Sequence, residues 1–245
     1  MHCFFIDLAS HDGLLACADD QTIIASEPVD HRIGDHELVP LFEKTLDQAK
    51  WKAADLTHVA CIIGPGGFMS LRVAVAFANT LIHQLRVPGA GVHLSDVCFA
   101  RVTSPPRPPS PLERGEKGGE VDATKDFLWL HSTKKHELFV RGFGSFSSLW
   151  PEAAHVTVEA FMEKLPLTRP SPAPRLRSGH PPPEGEGKRN KILWTGELIP
   201  EHEALFKDKE LQPLALQPLM DVLPAFLVRQ HYEQKLLEPW YGRGW

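Results

Sequence analysis

The chain has 245 residues, 42% of them hydrophobic and 23% charged, with a formal net charge of −5. That is enough apolar chain for one large domain or two small ones, and the acidic balance is unlike that of a protein that grips nucleic acid unaided. No apolar run reaches the roughly eighteen residues of a spanning helix, and MHCFFIDLAS lacks the basic and apolar regions of a secretory signal, so no membrane partner and a cytoplasmic location are expected.

In chain order, HCFFIDLA is a short apolar run suited to a buried strand. LLACA follows the turn signal His11-Asp12-Gly13, and Asp19-Asp20 turns the chain into TIIASEPV, rich in β-branched residues. The three make a meander. Asp35 is positioned to cap a helix over 36–48, whose Leu38, Leu41, Phe42, Thr45 and Leu46 share one stripe, with Pro40 in the first turn. THVACIIG is a strand that stops at GPGG, and a second helix runs over 69–86. The strand AGVHL comes next, then a helix capped by Ser95. Further on, FLWLHST and ELFVRGF read as a hairpin around Lys134-Lys135. VEAFMEKL is a short helix, KILWTGEL a strand followed by the helical PEHEALF, and an amphipathic helix spans 219–236 before a loop tail. Helices mixed with strands in this alternation predict an α/β protein.

Two segments stand apart. Residues 104–120 and 168–190 hold 11 of the 22 prolines, carry no aromatics and repeat a similar phrase, RPPSPLERGE beside RPSPAPRLRSG. They cannot repay the entropy of ordering and are predicted to be disordered insertions, with a proline-rich docking site as the alternative. They divide the chain into an N-terminal subdomain, 1–103, and a C-terminal one built from 121–167 and 191–245. The first segment is neutral and the second net positive, so the remainder is more acidic than the whole.

Cys3, Cys17, Cys61 and Cys98 form no C-x-x-C pair and are predicted to be buried free thiols. No two of the 13 histidines lie closer than five positions, which leaves no helical His-x-x-x-His metal pair; His31, His36, His131 and His136 read as solvated surface residues. No G-x-S-x-G nucleophile elbow occurs, so the sequence offers no catalytic residue and no metal ligands. Lys134, Lys135 and Arg141 form a small basic cluster expected to be a solvated turn.

The most specific feature is the loop Gly64-Pro65-Gly66-Gly67-Phe68 running on to Arg72, between a buried strand and a helix. Consecutive glycines there either cradle an anion with backbone N–H groups at the helix start or simply let strand and helix pack closely. It is not a Walker A loop. Asp7, at the end of the first strand, is either a phosphate contact or a carboxylate satisfied by neighbouring backbone N–H groups.

GPGGFMSLR resembles the GPGSFTGLR phrase of the TsaB (YeaZ-like) family. In register with it are Ile6-Asp7 at the end of the first strand, HELVP at His36–Pro40, PGAGVH at Pro88–His93 and EPWYGR at Glu238–Arg243. Gly67, Met69 and Ser70 depart from the family phrase, His131–Lys134 replace an Ile-Asp-Ala-Arg strand end, and the proline-rich segments are foreign to it; the chain looks like a divergent member. The resemblance implies an actin-like (ASKHA) fold of two ribonuclease-H-like βββαβαβα subdomains. It implies a non-catalytic subunit that pairs, through its two N-terminal helices, with a TsaD-like catalytic subunit, aided by a TsaE-like ATPase. ATP and metal are then expected on those partners, and tRNA is met only through the complex, which threonylcarbamoylates adenosine 37 of ANN-decoding tRNAs. The residues expected at the interface are Leu38, Phe42, Val73, Ala74, Phe77 and Leu81, with burial inside the monomer as the alternative; a homodimer is a further possibility. Two other functions stay open: a stand-alone actin-like ATPase or small-molecule kinase using Asp7 and the glycine loop, and an RNA-binding module, which the acidic core disfavours.

Overall fold

The computed structural model describes residues 1–30, 35–104, 126–165, 192–207 and 211–242. Apart from Ser104, both proline-rich segments, and also His31, lie outside the described residues.

The chain folds as one unit repeated. β1 (Cys3–Asp7), β2 (Asp12–Ala18) and β3 (Ile23–Asp30) form the expected meander, followed by α1 (Asp35–Ala49), β4 (His58–Gly64), α2 (Phe68–Leu85), β5 (Gly89–His93) and α3 (Leu94–Thr103). The second unit runs through β6 (Phe127–Lys134), β7 (Glu137–Phe143), β8 (Ala154–Thr157), α4 (Val158–Lys164), β9 (Ile192–Glu197), α5 (Pro200–Lys207), β10 (Leu211–Pro213) and α6 (Leu219–Val228). The strand orders are β3-β2-β1-β4-β5 and β10-β9-β6-β7-β8, the same topology twice. In each sheet the first strand pairs antiparallel with the second and parallel with the fourth.

Alternation along the central strands sets the layers. Phe4 and Ile6 of β1 face α1 and α2, where they meet Phe42, Leu46, Ala74 and Ala78. Leu128 and Leu130 of β6 face α4 and α5, where they meet Trp150, Phe161 and Phe206. The opposite faces, carrying Phe5 on one sheet and Trp129 and Phe139 on the other, share a central core with α3 and α6. The two subdomains therefore meet across α3 and α6.

Several local expectations are corrected. Helix α1 includes Asp35, so Pro40 lies in its second turn, where it denies one carbonyl its helical partner. Helix α3 is capped by His93, whose ring accepts from the Ser95 N–H, and not by Ser95. Helix α6 ends at Val228 instead of continuing to 236. Beyond it the chain leaves helical geometry because Glu233 exchanges two backbone hydrogen bonds with Gly89, which adds the tail to the edge of β5. Strands β8 and β10, four and three residues long, were not legible in the sequence.

Candidate interaction site and the junction between the subdomains

The glycine loop joins β4 to α2. Gly64 has φ of +149°, and a Cβ there would strike the carbonyl of Trp240 in the C-terminal tail. Gly66 runs so close to Ala9 that a Cβ would lie 2.9 Å from its Cα. These two close approaches, one to the β1–β2 turn and one to the tail, are what the glycines permit. Gly67 is the N-cap of α2 with no side-chain cap, and the Gly64–Pro65 peptide is cis. The loop ends in exposed Phe68 and Met69, 53% and 63% accessible. Arg72, also exposed, lies over the Phe68 ring at 5.4 Å, and Tyr241 of the tail packs on that ring at 5.0 Å.

Asp7 stands behind this loop, fully enclosed. Its Oδ1 accepts from the N–H groups of Ala9 (2.9 Å) and Ser10 (3.0 Å), and its Oδ2 accepts from the Ser10 hydroxyl. Burial pushes its carboxyl above the ordinary range against the pull of those hydrogen bonds. The carboxylate is thus turned inward onto its own loop.

The six residues expected at a helical interface divide into two groups. Leu38, Phe42, Ala74 and Leu81 are buried against the sheet beneath. Val73 and Phe77 are half-buried, and the Phe77 ring meets Phe42 edge-on at 5.5 Å. The exposed positions of the helix pair include Val39 (49% exposed), Phe68, Met69, Arg72 and Ala76, alongside charged and polar residues such as Glu43, Lys44, Asp47 and Thr80.

The structure also gathers polar residues along the junction of the two subdomains, a grouping that the sequence did not show. On β6, β7 and β9 the face towards α3 carries Trp129, His131, Arg141, Thr195 and Glu197. Glu197 Oε2 accepts the His11 N–H at 2.8 Å and lies 3.5 Å from His131 Nδ1. Burial raises the Glu197 carboxyl, but the His131 imidazole and the His11 N–H outweigh it and hold the group below its usual range. His131, expected to be a solvated surface residue, is completely buried; His36 and His136 are exposed. The alternation Phe127, Trp129, His131 was the available signal, because it places the histidine on the face of a tryptophan. Arg141 likewise leaves the expected basic turn. Lys134 pairs with Glu137 and Lys135 with Glu201, whereas Arg141 Nη1 reaches across to Asp96 (2.5 Å) and the Ser95 hydroxyl (2.8 Å).

That serine is 2.7 Å from His93 Nδ1, which is the distance of a nucleophile from its base. Its hydroxyl is wholly buried and fixed by Arg141, so the pair works as a helix cap and a tie between subdomains. The four cysteines are free and buried, and burial pushes Cys3, Cys17 and Cys98 up to about 12, which makes them inert core residues. Among the described residues, no three His, Cys, Asp or Glu side chains gather as metal ligands, and no helix is long and apolar enough to cross a membrane.

Two copies of one βββαβαβα unit, packed through α3 and α6, define the actin-like class of α/β protein. Within it, the chain shares its fold with YeaZ structures over its whole length. A crystal structure described as an uncharacterized protein with similarity to peptidase YEAZ from Pseudomonas aeruginosa matches with a TM-score of 0.60. It is 14% identical and covers 99% of each chain. YeaZ from Pseudomonas aeruginosa matches with a TM-score of 0.54 at 14% identity, covering 98% of this chain and 99% of that one. A family model described as TsaD, tRNA N6-adenosine threonylcarbamoyltransferase, matches residues 33–113, the stretch that carries α1, the glycine loop, α2 and α3. No curated protein matches.

Proposed function

We propose that the chain is a non-catalytic scaffold subunit that pairs through the outer face of α1 and α2 with a TsaD-like catalytic subunit. The pair would act, with a TsaE-like ATPase, in threonylcarbamoylation of adenosine 37 in ANN-decoding tRNAs. ATP, metal and tRNA would be held by the partners. The observation that carries this reading is the helix pair itself. Val39, Phe68 and Met69 are exposed there beside half-buried Val73 and Phe77, on helices whose inner faces are already fully used by the sheet. Exposed apolar side chains grouped on one helical face mark a contact surface. The likeness of residues 33–113 to the TsaD family and of the whole fold to YeaZ supports the choice of partner.

The test is co-purification with the TsaD-like protein of the same cell. Val39→Asp and Ala76→Arg place charges on the outer face without touching the monomer core. Burying either unpaired in an interface costs several kcal/mol, so affinity should fall at least about thirtyfold while the melting temperature holds. Unchanged pairing by both variants rejects this surface. Loss of threonylcarbamoyladenosine from tRNA on depletion of the chain tests the process.

A second reading has one observation in its favour: the glycine loop and the Asp7 loop meet at Ala9, as they would in a phosphate site. Calorimetry with Mg-ATP separates the two, since micromolar binding with turnover by the isolated chain supports an ATPase or kinase. Sedimentation of the isolated chain reports whether the same face pairs two copies.

A further inference from the structure

We propose that the contact between the start of α3 and strand β7 is an acid-released catch, in which protonation of His93 breaks a polar tie between the two subdomains. The geometry at His93 sets this up. Backbone N–H can only donate, so the bond from Ser95 N to Nδ1 (3.2 Å) requires a lone pair there. The Ser95 hydroxyl, 2.7 Å away, donates to the same lone pair, because Arg141 Nη1 occupies its acceptor side at 2.8 Å. The ring proton is therefore on Nε2, which is buried with no hydrogen-bond partner. A second proton has only Nδ1 to occupy, and there it faces two donors.

The charges around the ring are mixed: Asp96 favours a protonated His93, and Arg141 and His131 oppose it. His93 is faced by Asp96 from α3, Arg141 from β7 and His131 from β6, with the Trp129 and Trp240 rings against it at 5.7 and 4.6 Å. Protonated, His93 would share one carboxylate, Asp96, with Arg141, whose guanidinium already sits 2.5 Å from it. Either His93 leaves Ser95 or Arg141 leaves the α3 cap. The first leaves the Arg141 tie in place; the second, which the catch requires, breaks the polar tie from the C-terminal sheet to α3.

Burial, with Arg141 and His131 reinforcing it and Asp96 opposing, holds His93 down at about 4. Released to solvent, the ring returns to about 6.5. Because the open form binds the proton more tightly, opening is favoured as pH falls through 6.5, and this gain levels off once pH reaches about 4. Between about pH 7.5 and about pH 5 the closed-to-open equilibrium shifts by about thirtyfold.

The test uses the full chain and NMR hydrogen exchange of the Ser95 amide and the buried Trp129 indole N–H, each normalised to its intrinsic rate, with circular dichroism verifying that the chain stays folded. Exchange of both should accelerate about thirtyfold over that pH range in the wild type and stay flat in His93→Asn, whose side-chain oxygen can cap α3 but does not titrate. Absence of acceleration in the wild type, or equal acceleration in His93→Asn, overturns the proposal. If His93→Asn does not fold, the imidazole titration of His93 in the wild type decides: a midpoint well below 6 supports the catch and an ordinary midpoint near 6.5 rejects it.

Discussion

One side chain of α2, Asn79, clamps the backbone of the C-terminal tail, and removing it has a calculable effect. Asn79 donates to the Leu237 carbonyl at 3.0 Å and accepts from the Leu237 N–H at 2.8 Å, a closed pair of bonds. Asn79→Ala removes both. Each is worth about 1 kcal/mol net, so the tail should lose about 2 kcal/mol of docking, and its local opening should become about thirtyfold more frequent. Other attachments remain, among them the Glu233–Gly89 backbone pair, the Gln234 bond to the Arg86 carbonyl, the Trp240 N–H bond to Ile63 and the Tyr241 ring on Phe68. The rest of the molecule should therefore stay folded. Limited trypsin digestion reads this directly, because Lys235 lies within the tail and its cleavage waits on local opening. Cleavage at Lys235 should accelerate by about thirtyfold in Asn79→Ala. The neighbouring Thr80→Ala, which loses only a hydroxyl bond to the Ala76 carbonyl in its own helix, should behave as wild type. Equal digestion of Asn79→Ala and wild type would show that the tail is not held at Leu237 and would refute the reasoning.

Two further outcomes are expected. Asp7→Asn retains an oxygen for the Ala9 and Ser10 N–H groups and should melt no lower than wild type at pH 7, since the raised Asp7 pKa means the buried carboxylate destabilises the fold there. The stability that a raised pKa contributes belongs to the protonated form, so any advantage of Asn should vanish in acid, whereas Asp7→Ala, which strands two buried N–H groups, should lose about 1–3 kcal/mol for each in thermal melts at neutral pH. Phe161, fully buried between Trp150 and Phe206, should cost about 3–5 kcal/mol on truncation to Ala, read as a lower urea midpoint with unchanged slope; a loss below about 1 kcal/mol would mean that α4 is not packed as described.

The N-terminal unit was legible because each of its elements is local. Its strands are continuous apolar runs, its turns carry Asp or Gly, and the glycine loop marks where β4 must stop. The C-terminal unit is the same topology in less legible form, since β8 and β10 are too short for alternation to register and β10 sits at a sheet edge. Helix α6 was overextended because Leu236 and Leu237 continue its apolar stripe, yet Asn79 and Gly89 bind that stretch as extended chain. Of the residues expected at an interface, Leu38, Phe42, Ala74 and Leu81 are covered by their own sheet, because a stripe read from spacing does not say whether its cover is the sheet or another protein. Of the junction, only the Trp129–His131 alternation could have been read. His93, Arg141 and Glu197 come from three distant segments, and only folding brings them together.

The route of the tail has a mechanical consequence. After α6 the chain returns along the edge of β5, passes Asn79 and the glycine loop, and ends with Trp240 and Gly242 against Phe139 of the C-terminal sheet. The last described stretch therefore crosses the junction between the two halves like a stitch, anchored in one half and seated on the other. Turning the halves against each other must first pull Trp240 from its seat, and the tension would fall on α2 beside Phe68 and Met69. A load applied to the outer surface of that helix and a shear between the sheets would be felt by the same few residues.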